Sequence, residues 1–232
     1  MKTLVALAAG IVVASSLPVM GQTLTWNLGG STHVTPTGGS LSYTVSGVKV
    51  TTTAWSYTKT SSNNAFEASR LGRYSPGLGV INNEEDTSAP WHQVDNSGQN
   101  DYVLFVFDTL VDVTNVRIQA SPGPYDQDVS YWVGNISSSN LDSVTYTGLA
   151  ALGFGSEQTV LGSSTSSAKN VAINAPDSGI KAILFGPKRG VVSGSEVDAF
   201  KINSITATVI PEPSAALLSV LGALGFVLRR RR

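Results

Sequence analysis

Hydrophobic residues alternate with polar ones along much of the chain between residues 22 and 210. Leu41, Tyr43 and Val45, for example, are each separated by one hydroxyl-bearing residue. A two-residue period places every second side chain on the same face of an extended segment, so it predicts β-strands with one buried face. No part of this region has a long 3.6-residue apolar rhythm. The alternation therefore predicts an all-β body.

Several predicted strands follow from this pattern. The run 102–107 is continuously apolar, as expected of a strand that is buried on both faces. Shorter alternating runs end at glycine, proline or asparagine clusters, which favour turns; they lie at 116–120, 129–133, 180–185, 200–202 and 205–209. A short helical turn is expected within 141–152. The missing internal repeat disfavours a solenoid or propeller. Strand patterns continue on both sides of the Ser/Thr/Gly-rich stretches 31–40 and 162–168, so we expect one domain at 22–210, an antiparallel two-sheet sandwich of the jelly-roll type.

Charge and cysteine content exclude several classes of function. The region 22–210 contains ten Lys and Arg and 15 Asp and Glu, a net charge of −5. A negative body disfavours a nucleic acid as its partner, because the phosphate backbone attracts basic surfaces. The chain has no cysteine, so it can form neither disulfides nor thiolate metal sites.

The first 21 residues have the composition of a secretory signal. Lys2 precedes an apolar run at 4–13, and small residues surround a predicted cut before Gln22. A basic start, a short hydrophobic centre and a small-residue cut predict a signal peptide at 1–21. The alternative is an uncleaved N-terminal anchor, which Pro18 and the shortness of the run disfavour.

The last 22 residues, 211–232, combine three unlike pieces. Pro211, Glu212 and Pro213 come first, an apolar run follows at 214–228, and Arg229, Arg230, Arg231 and Arg232 end the segment. A helix of that length reaches about 22 Å against a hydrocarbon core of about 30 Å, and arginine side chains can extend to cover the difference. We therefore predict a transmembrane helix at 214–228 rather than a buried core helix. Flanking positive charge stays in the cytoplasm, so the body is expected on the opposite side of the membrane.

This order of Pro-Glu-Pro, apolar run and arginine cluster resembles the PEP-CTERM sorting tail of bacterial exported proteins. The resemblance implies an exosortase-type processing enzyme as partner. It also implies transient anchoring in the membrane, followed by delivery to the cell surface or the extracellular matrix.

The region from Gly77 to Gly134 also resembles exosortase-dependent surface proteins with a β-sandwich body. The similarity lies in four short segments, at 78–80 (LGV), 91–96 (WHQVDN), 101–108 (DYVLFVFD) and 126–132 (DQDVSYW). It implies a sandwich located at the surface and assigns it no activity.

Acidic and amide side chains suggest a structural calcium ion as a possible cofactor. Calcium binds six to eight oxygens on converging loops. Residues spaced by two, as in the segments 126–128 and 196–198, point to the same side of an extended chain. The candidate ligands are Asp95, Asn96, Asp101, Asp126, Asp128, Glu196 and Asp198. The alternative is a set of Asx-turns and solvated carboxylates.

Aromatic residues suggest a carbohydrate ligand. Flat rings next to polar groups can hold sugars, and Trp91, His92 and Trp132 are the candidate ligand-binding residues. The alternative is that these rings fill the core, as most aromatic residues of a sandwich do. An extracellular polysaccharide is thus a possible partner.

Catalytic motifs are missing from the sequence. There are two histidines, and neither Gly-x-Ser-x-Gly nor His-Glu-x-x-His occurs. The sequence therefore predicts a non-enzymatic exported protein that is sorted by its tail. The alternatives are a carbohydrate-binding module delivered by the same route and a hydrolase, which would need converging carboxylates or a Ser–His pair in a cleft.

Overall fold

A computed structural model describes residues 21–57, 64–82, 92–120, 126–162, 167–190 and 197–211. The predicted signal peptide up to residue 20 lies outside these residues, as do the tail beyond Pro211, Trp91 and Glu196.

Fourteen strands and one short helix occur in the described residues. Their bounds are β1 Thr23–Asn27, β2 His33–Val34, β3 Ser40–Val45, β4 Val48–Tyr57, β5 Phe66–Ala68, β6 Arg70–Tyr74, β7 Gly77–Ile81, β8 Val94–Asp95, β9 Asn100–Ala120, β10 Val129–Gly134, α1 Leu149–Leu152, β11 Gln158–Val160, β12 Lys169–Ala172, β13 Ile180–Pro187 and β14 Ala199–Val209. The prediction of an all-β body is confirmed, and α1 lies within the predicted helical turn.

All pairings between these strands are antiparallel, and they join into one hydrogen-bonded network. The long strand β9 is its centre. The first half of β9 pairs with β4 and with most of β13, while its second half pairs with β12 and β14. Beyond β14 lie β1, β7 and β8; beyond β13 lie β10 and then β11.

Two pairs of predicted strands are single strands in the structure. The runs at 102–107 and 116–120 both belong to β9, and those at 200–202 and 205–209 both belong to β14. Register shifts between Ile202 and Ser204 and between Thr206 and Ala207 accommodate the break in alternation. Because a β-bulge adds a residue without ending the strand, the side-chain pattern was interrupted while the strand continued.

The larger core cluster lies on one face of β9. Val103, Phe105 and Phe107 from its first half and Val116 and Ile118 from its second half all belong to this cluster and are at most 2% exposed. The intervening polar residues of the second half point outward, which gives the alternation seen in the sequence.

A smaller core cluster covers the opposite face of the first half of β9, where Tyr102 and Leu104 are fully buried. The segment from Asn135 to Gly155 folds back over this face, with Asn135 N donating to Gly153 O (3.2 Å) and Phe66 N donating to Val144 O (2.8 Å). Gly153 ends α1 at φ 105°, and a Cβ there would lie 2.5 Å from the carbonyl oxygen of Asn135. Only glycine fits this position. Because the larger cluster covers one face of this half of β9 and the smaller cluster covers the other, the prediction that the run 102–107 is buried on both faces is confirmed.

Within the described ranges, no helix combines the length and apolar character needed to cross a membrane. The membrane helix predicted at 214–228 lies outside those ranges.

Candidate acidic and aromatic sites

Three carboxylates meet where β10 and β14 begin. Asp198 directly precedes β14, and Asp126 and Asp128 lie just before β10. An isolated parallel bridge joins Asp126 to Asp198, and one oxygen from each of the three carboxylates lies within 4.8 Å of the others. We call these three residues the acidic cluster.

Hydrogen bonds fix the orientation of the acidic cluster. Asp198 accepts from the backbone N–H of Asp128 (2.9 Å) and from Asn96 Nδ2 (2.7 Å). The side-chain oxygen Oδ1 of Asn96 in turn accepts from the Asp198 N–H (2.9 Å). Lys188 Nζ lies 2.9 Å from Asp128 Oδ2 and forms an ion pair with it. The Lys188 ammonium group therefore contacts Asp128 and also interacts electrostatically with Asp198 and Asp126.

The protonation of Asp198 is strongly perturbed. Its side chain is buried, with the residue 3% exposed, and this burial raises the pKa of Asp198 to about 7. Repulsion from Asp128 and Asp126 also raises this pKa, whereas the hydrogen bonds from Asp128 and Asn96 lower it. A buried carboxyl close to other carboxylates retains its proton to a higher pH than usual, because its charged form is poorly solvated.

Calcium matches the acidic cluster in part. The cluster offers carboxylate oxygens, which calcium prefers. However, both oxygens of Asp198 already accept hydrogen bonds, and Lys188 already brings a positive charge to Asp128. A bound cation would have to share these oxygens or displace the ammonium group. Calcium binding by the acidic cluster stays a prediction.

The other predicted calcium ligands lie in different surroundings. Asn96 contacts the acidic cluster through Asp198, as described above. Asp95 Oδ1 accepts from Ser97 N (2.9 Å), an Asx-turn contact that matches the alternative interpretation of these residues. Asp101 is fully buried and accepts from Ser56 Oγ (2.6 Å) and Asn82 Nδ2 (3.3 Å). Glu196 lies outside the described residues.

A pocket of about 390 Å³ opens beside the smaller core cluster. Three aromatic rings contribute to its wall, and charged and hydroxyl side chains complete it. Among the described residues it is lined by Trp132, Tyr146, Thr147, Leu149, Ala150, Phe154, Gly155, Ser156, Glu157 and Arg189. We call it the aromatic pocket.

Tyr146 is the best-supported ring of the aromatic pocket. Tyr57 stacks on it with ring centroids 3.7 Å apart, and Trp132 lies nearly parallel to it at 5.7 Å. The Tyr146 hydroxyl accepts from Asn100 Nδ2 (3.0 Å) and is hydrogen-bonded to the Tyr102 hydroxyl (2.9 Å). Burial raises the pKa of Tyr146 well above its usual value, so its hydroxyl stays protonated.

An ion pair borders the aromatic pocket. An Arg189 guanidinium nitrogen lies 3.5 Å from Glu157 Oε2, and the guanidinium carbon lies 5.0 Å from the centroid of the Tyr146 ring. Ser130 fixes both residues, since its hydroxyl donates to Glu157 Oε1 (2.8 Å) and accepts from Arg189 N (3.3 Å). The Arg189 side chain is 49% exposed and that of Glu157 23%, so both can reach a ligand.

The sequence identified only one residue of the aromatic pocket, Trp132, which is 4% exposed and belongs to the smaller core cluster. His92 is 6% exposed and stacks against Tyr74 at 5.9 Å, and the pocket lining does not include it. Trp91 lies outside the described residues. Tyr146, Glu157 and Arg189 were missed because they come from three separate segments and match no local motif.

Comparison of the chain with models of known protein families and with curated proteins gives no match.

Proposed function

We propose that this is a non-enzymatic exported protein whose tail carries it through the membrane. In this proposal an exosortase-type enzyme recognises Pro211, Glu212 and Pro213, and Arg229 to Arg232 stop translocation. The β-sheet body then remains at the cell surface or in the extracellular matrix.

The observation that carries the proposal is the position of the two ends of the body. Val209 N donates to the carbonyl oxygen of Gln22 (2.9 Å), and Thr23 is paired with Thr208. β1 thus begins one residue after the predicted signal-peptide cut, and β14 ends two residues before Pro211. The paired strands lie within the predicted body 22–210, and the neighbouring positions of their ends support the proposal.

Adjacent ends suit a body that is attached to a membrane at both ends. Before any cut, the apolar runs at 4–13 and 214–228 would both occupy the bilayer. Because residues 22 and 209 are hydrogen-bonded neighbours, the body can fold completely while both runs remain in the same membrane. The acidic cluster lies at the opposite end of β14, roughly 36 Å from Val209 at about 3.3 Å per residue.

We also propose a face-to-face packing of two groups of strands, as in the predicted sandwich. One group pairs with the first half of β9 and includes β4; the other pairs with its second half and includes β14. The support comes from Trp26 on β1, which is paired with β14. Its ring contacts Phe107 in the first half of β9 at 5.4 Å, and its N–H donates to Val48 O on β4 (3.2 Å). β1, which belongs to the group of β14, therefore packs directly on β4 and on the first half of β9.

The test is to change the tail and follow where the protein goes. Replacing Arg229 to Arg232 with serine should misroute the protein, because nothing then retains the tail in the cytoplasm. Pro211→Ala combined with Glu212→Ala should leave the protein in the membrane and uncleaved. Cell fractionation with immunoblotting and intact mass measures both effects.

A control variant replaces the exposed body residues Lys49, Arg117 and Lys181 with serine. It also removes positive charge but leaves the tail unchanged, so it should be sorted like the parent protein. Normal sorting and cleavage of both tail variants would contradict the proposed function.

A further inference from the structure

We propose that the aromatic pocket binds a neutral hexopyranose unit of a polysaccharide. This inference does not depend on the tail, and the residues that carry it are Tyr146, Trp132, Phe154, Glu157 and Arg189. The chemistry that recognises a pyranose is an apolar ring face beside groups that both donate and accept hydrogen bonds.

The rings of the aromatic pocket are fixed before any ligand arrives. Tyr57 stacks on the Tyr146 ring, the Arg189 guanidinium lies over it at 5.0 Å, and its hydroxyl is held by Asn100 and Tyr102. Trp132 is nearly parallel to it, with an interplanar angle of 16°. The C–H groups of a sugar can contact the parts of these rings that line the pocket, and a preformed site loses little conformational entropy on binding.

The ion pair supplies both kinds of hydrogen-bonding group. Arg189 offers guanidinium donors and Glu157 offers carboxylate acceptors, 3.5 Å apart. A sugar hydroxyl can accept from the first and donate to the second, so neighbouring hydroxyls of one ring can engage both. Ser130 is fully buried and positions Glu157 from beneath, and Arg189 through its backbone N–H.

Charge and size favour a neutral sugar. The two charged residues among those lining the pocket have opposite signs, so an acidic sugar would meet Glu157 as well as Arg189. The volume of about 390 Å³ lies in the usual range for small-molecule sites, roughly 300–1,000 Å³. The pocket is therefore suited to a single sugar unit or a short chain end.

The binding test uses the purified full chain in a detergent without a sugar headgroup. Methyl hexopyranosides of gluco, galacto and manno configuration are titrated and followed by saturation-transfer NMR and tryptophan fluorescence. We expect saturable binding of at least one of them with a Kd of about 1 mM, typical of a single weak subsite. The corresponding methyl glucuronide should bind more weakly.

Two substitutions test the ion pair. Glu157→Gln removes the negative charge and keeps an oxygen that can accept from Ser130. Arg189→Gln removes the positive charge at a side chain that is half exposed. Each should weaken binding about tenfold through the loss of a charge-assisted hydrogen bond. Arg117→Gln is the matched control, because Arg117 is exposed and bonds Asn170 instead. It should not change binding.

A third substitution keeps the test valid if the charge variants unfold. Ala150 is exposed, lies in α1 and lines the pocket, so Ala150→Trp should block the entrance and abolish binding without a change in Tm. The inference is overturned if no neutral pyranoside binds. It is equally overturned if the glucuronide binds best, or if binding survives both the blocking and the charge substitutions.

Discussion

The acidic cluster predicts how the stability of the protein depends on pH. In the folded chain burial raises the pKa of Asp198 to about 7, whereas in the unfolded chain an aspartate ionises near pH ~4. Between these two values the folded state holds a proton that the unfolded state has lost. The free energy of unfolding should therefore decrease as the pH rises through this range, and this contribution should level off above about 7.

The size of the effect follows from the two pKa values. At about 1.36 kcal/mol per pKa unit, the interval from pH ~5 to ~7 gives an upper limit of roughly 3 kcal/mol. Structural relaxation around the ionised carboxylate and its screening by water reduce this limit. We expect a loss of about 2 kcal/mol, or about 6 °C in Tm for a domain of this size.

The assay is urea unfolding of the purified protein, followed by tryptophan fluorescence from pH ~5 to ~8. Asp198→Asn cannot titrate, so its stability relative to the parent should improve by about 2 kcal/mol across this range. The substitution also removes one hydrogen-bond acceptor, which lowers the free energy of unfolding by about 1 kcal/mol at every pH. This constant loss does not change how the relative stability of the variant depends on pH. Asp142→Asn, a change at an exposed carboxylate, is the control and should follow the parent. A constant difference between parent and Asp198→Asn would refute the assignment of this pKa.

Three further predictions concern the metal, the packing of Gly186 and the contact of Trp26. Millimolar calcium should raise Tm more at pH ~8 than at ~5, because a cation favours ionised carboxylates. Asp126→Asn should remove this increase in Tm. If calcium leaves Tm unchanged at both pH values, the metal site is rejected. Gly186→Ala should lower the free energy of unfolding, measured in urea, by about 2 kcal/mol, because the added Cβ would lie 2.3 Å from the Tyr102 ring. Gly155→Ala is the control and should be tolerated, since the nearest atom to its Cβ would lie at 3.5 Å. Trp26→Phe should cost about 2 kcal/mol through its lost hydrogen bond and reduced packing, and unchanged stability would contradict its role between β1 and β4.

The sequence predicted the strand content well because burial imposes a two-residue period. β3 follows directly from that alternation, and the apolar run at 102–107 correctly indicated a strand with two covered faces. β10 alternates in sequence, yet its first four residues are all buried. The length of β9 was not predicted, since polar residues such as Asp108 and Asp112 interrupt the apolar pattern. No glycine or proline lies between residues 107 and 116, and that was the available signal that the strand continues.

The candidate sites were less predictable because they depend on pairing between distant strands. The spacing of Asp126 and Asp128 indicated a shared face, but Asp198 is distant in sequence and reaches them through the bridge between residues 126 and 198 and its hydrogen bond from Asp128 N. Glu157 and Arg189 meet because β10 lies between β11 and β13. No local pattern encodes such a neighbourhood.

The intact mass of the mature protein, measured in each cell fraction, tests the central proposal of export and tail processing most directly. We predict a chain that begins at Gln22, has lost Arg229 to Arg232, and is found at the cell surface or outside the cell. A soluble cytosolic chain that retains both Lys2 and Arg232 would contradict the proposal.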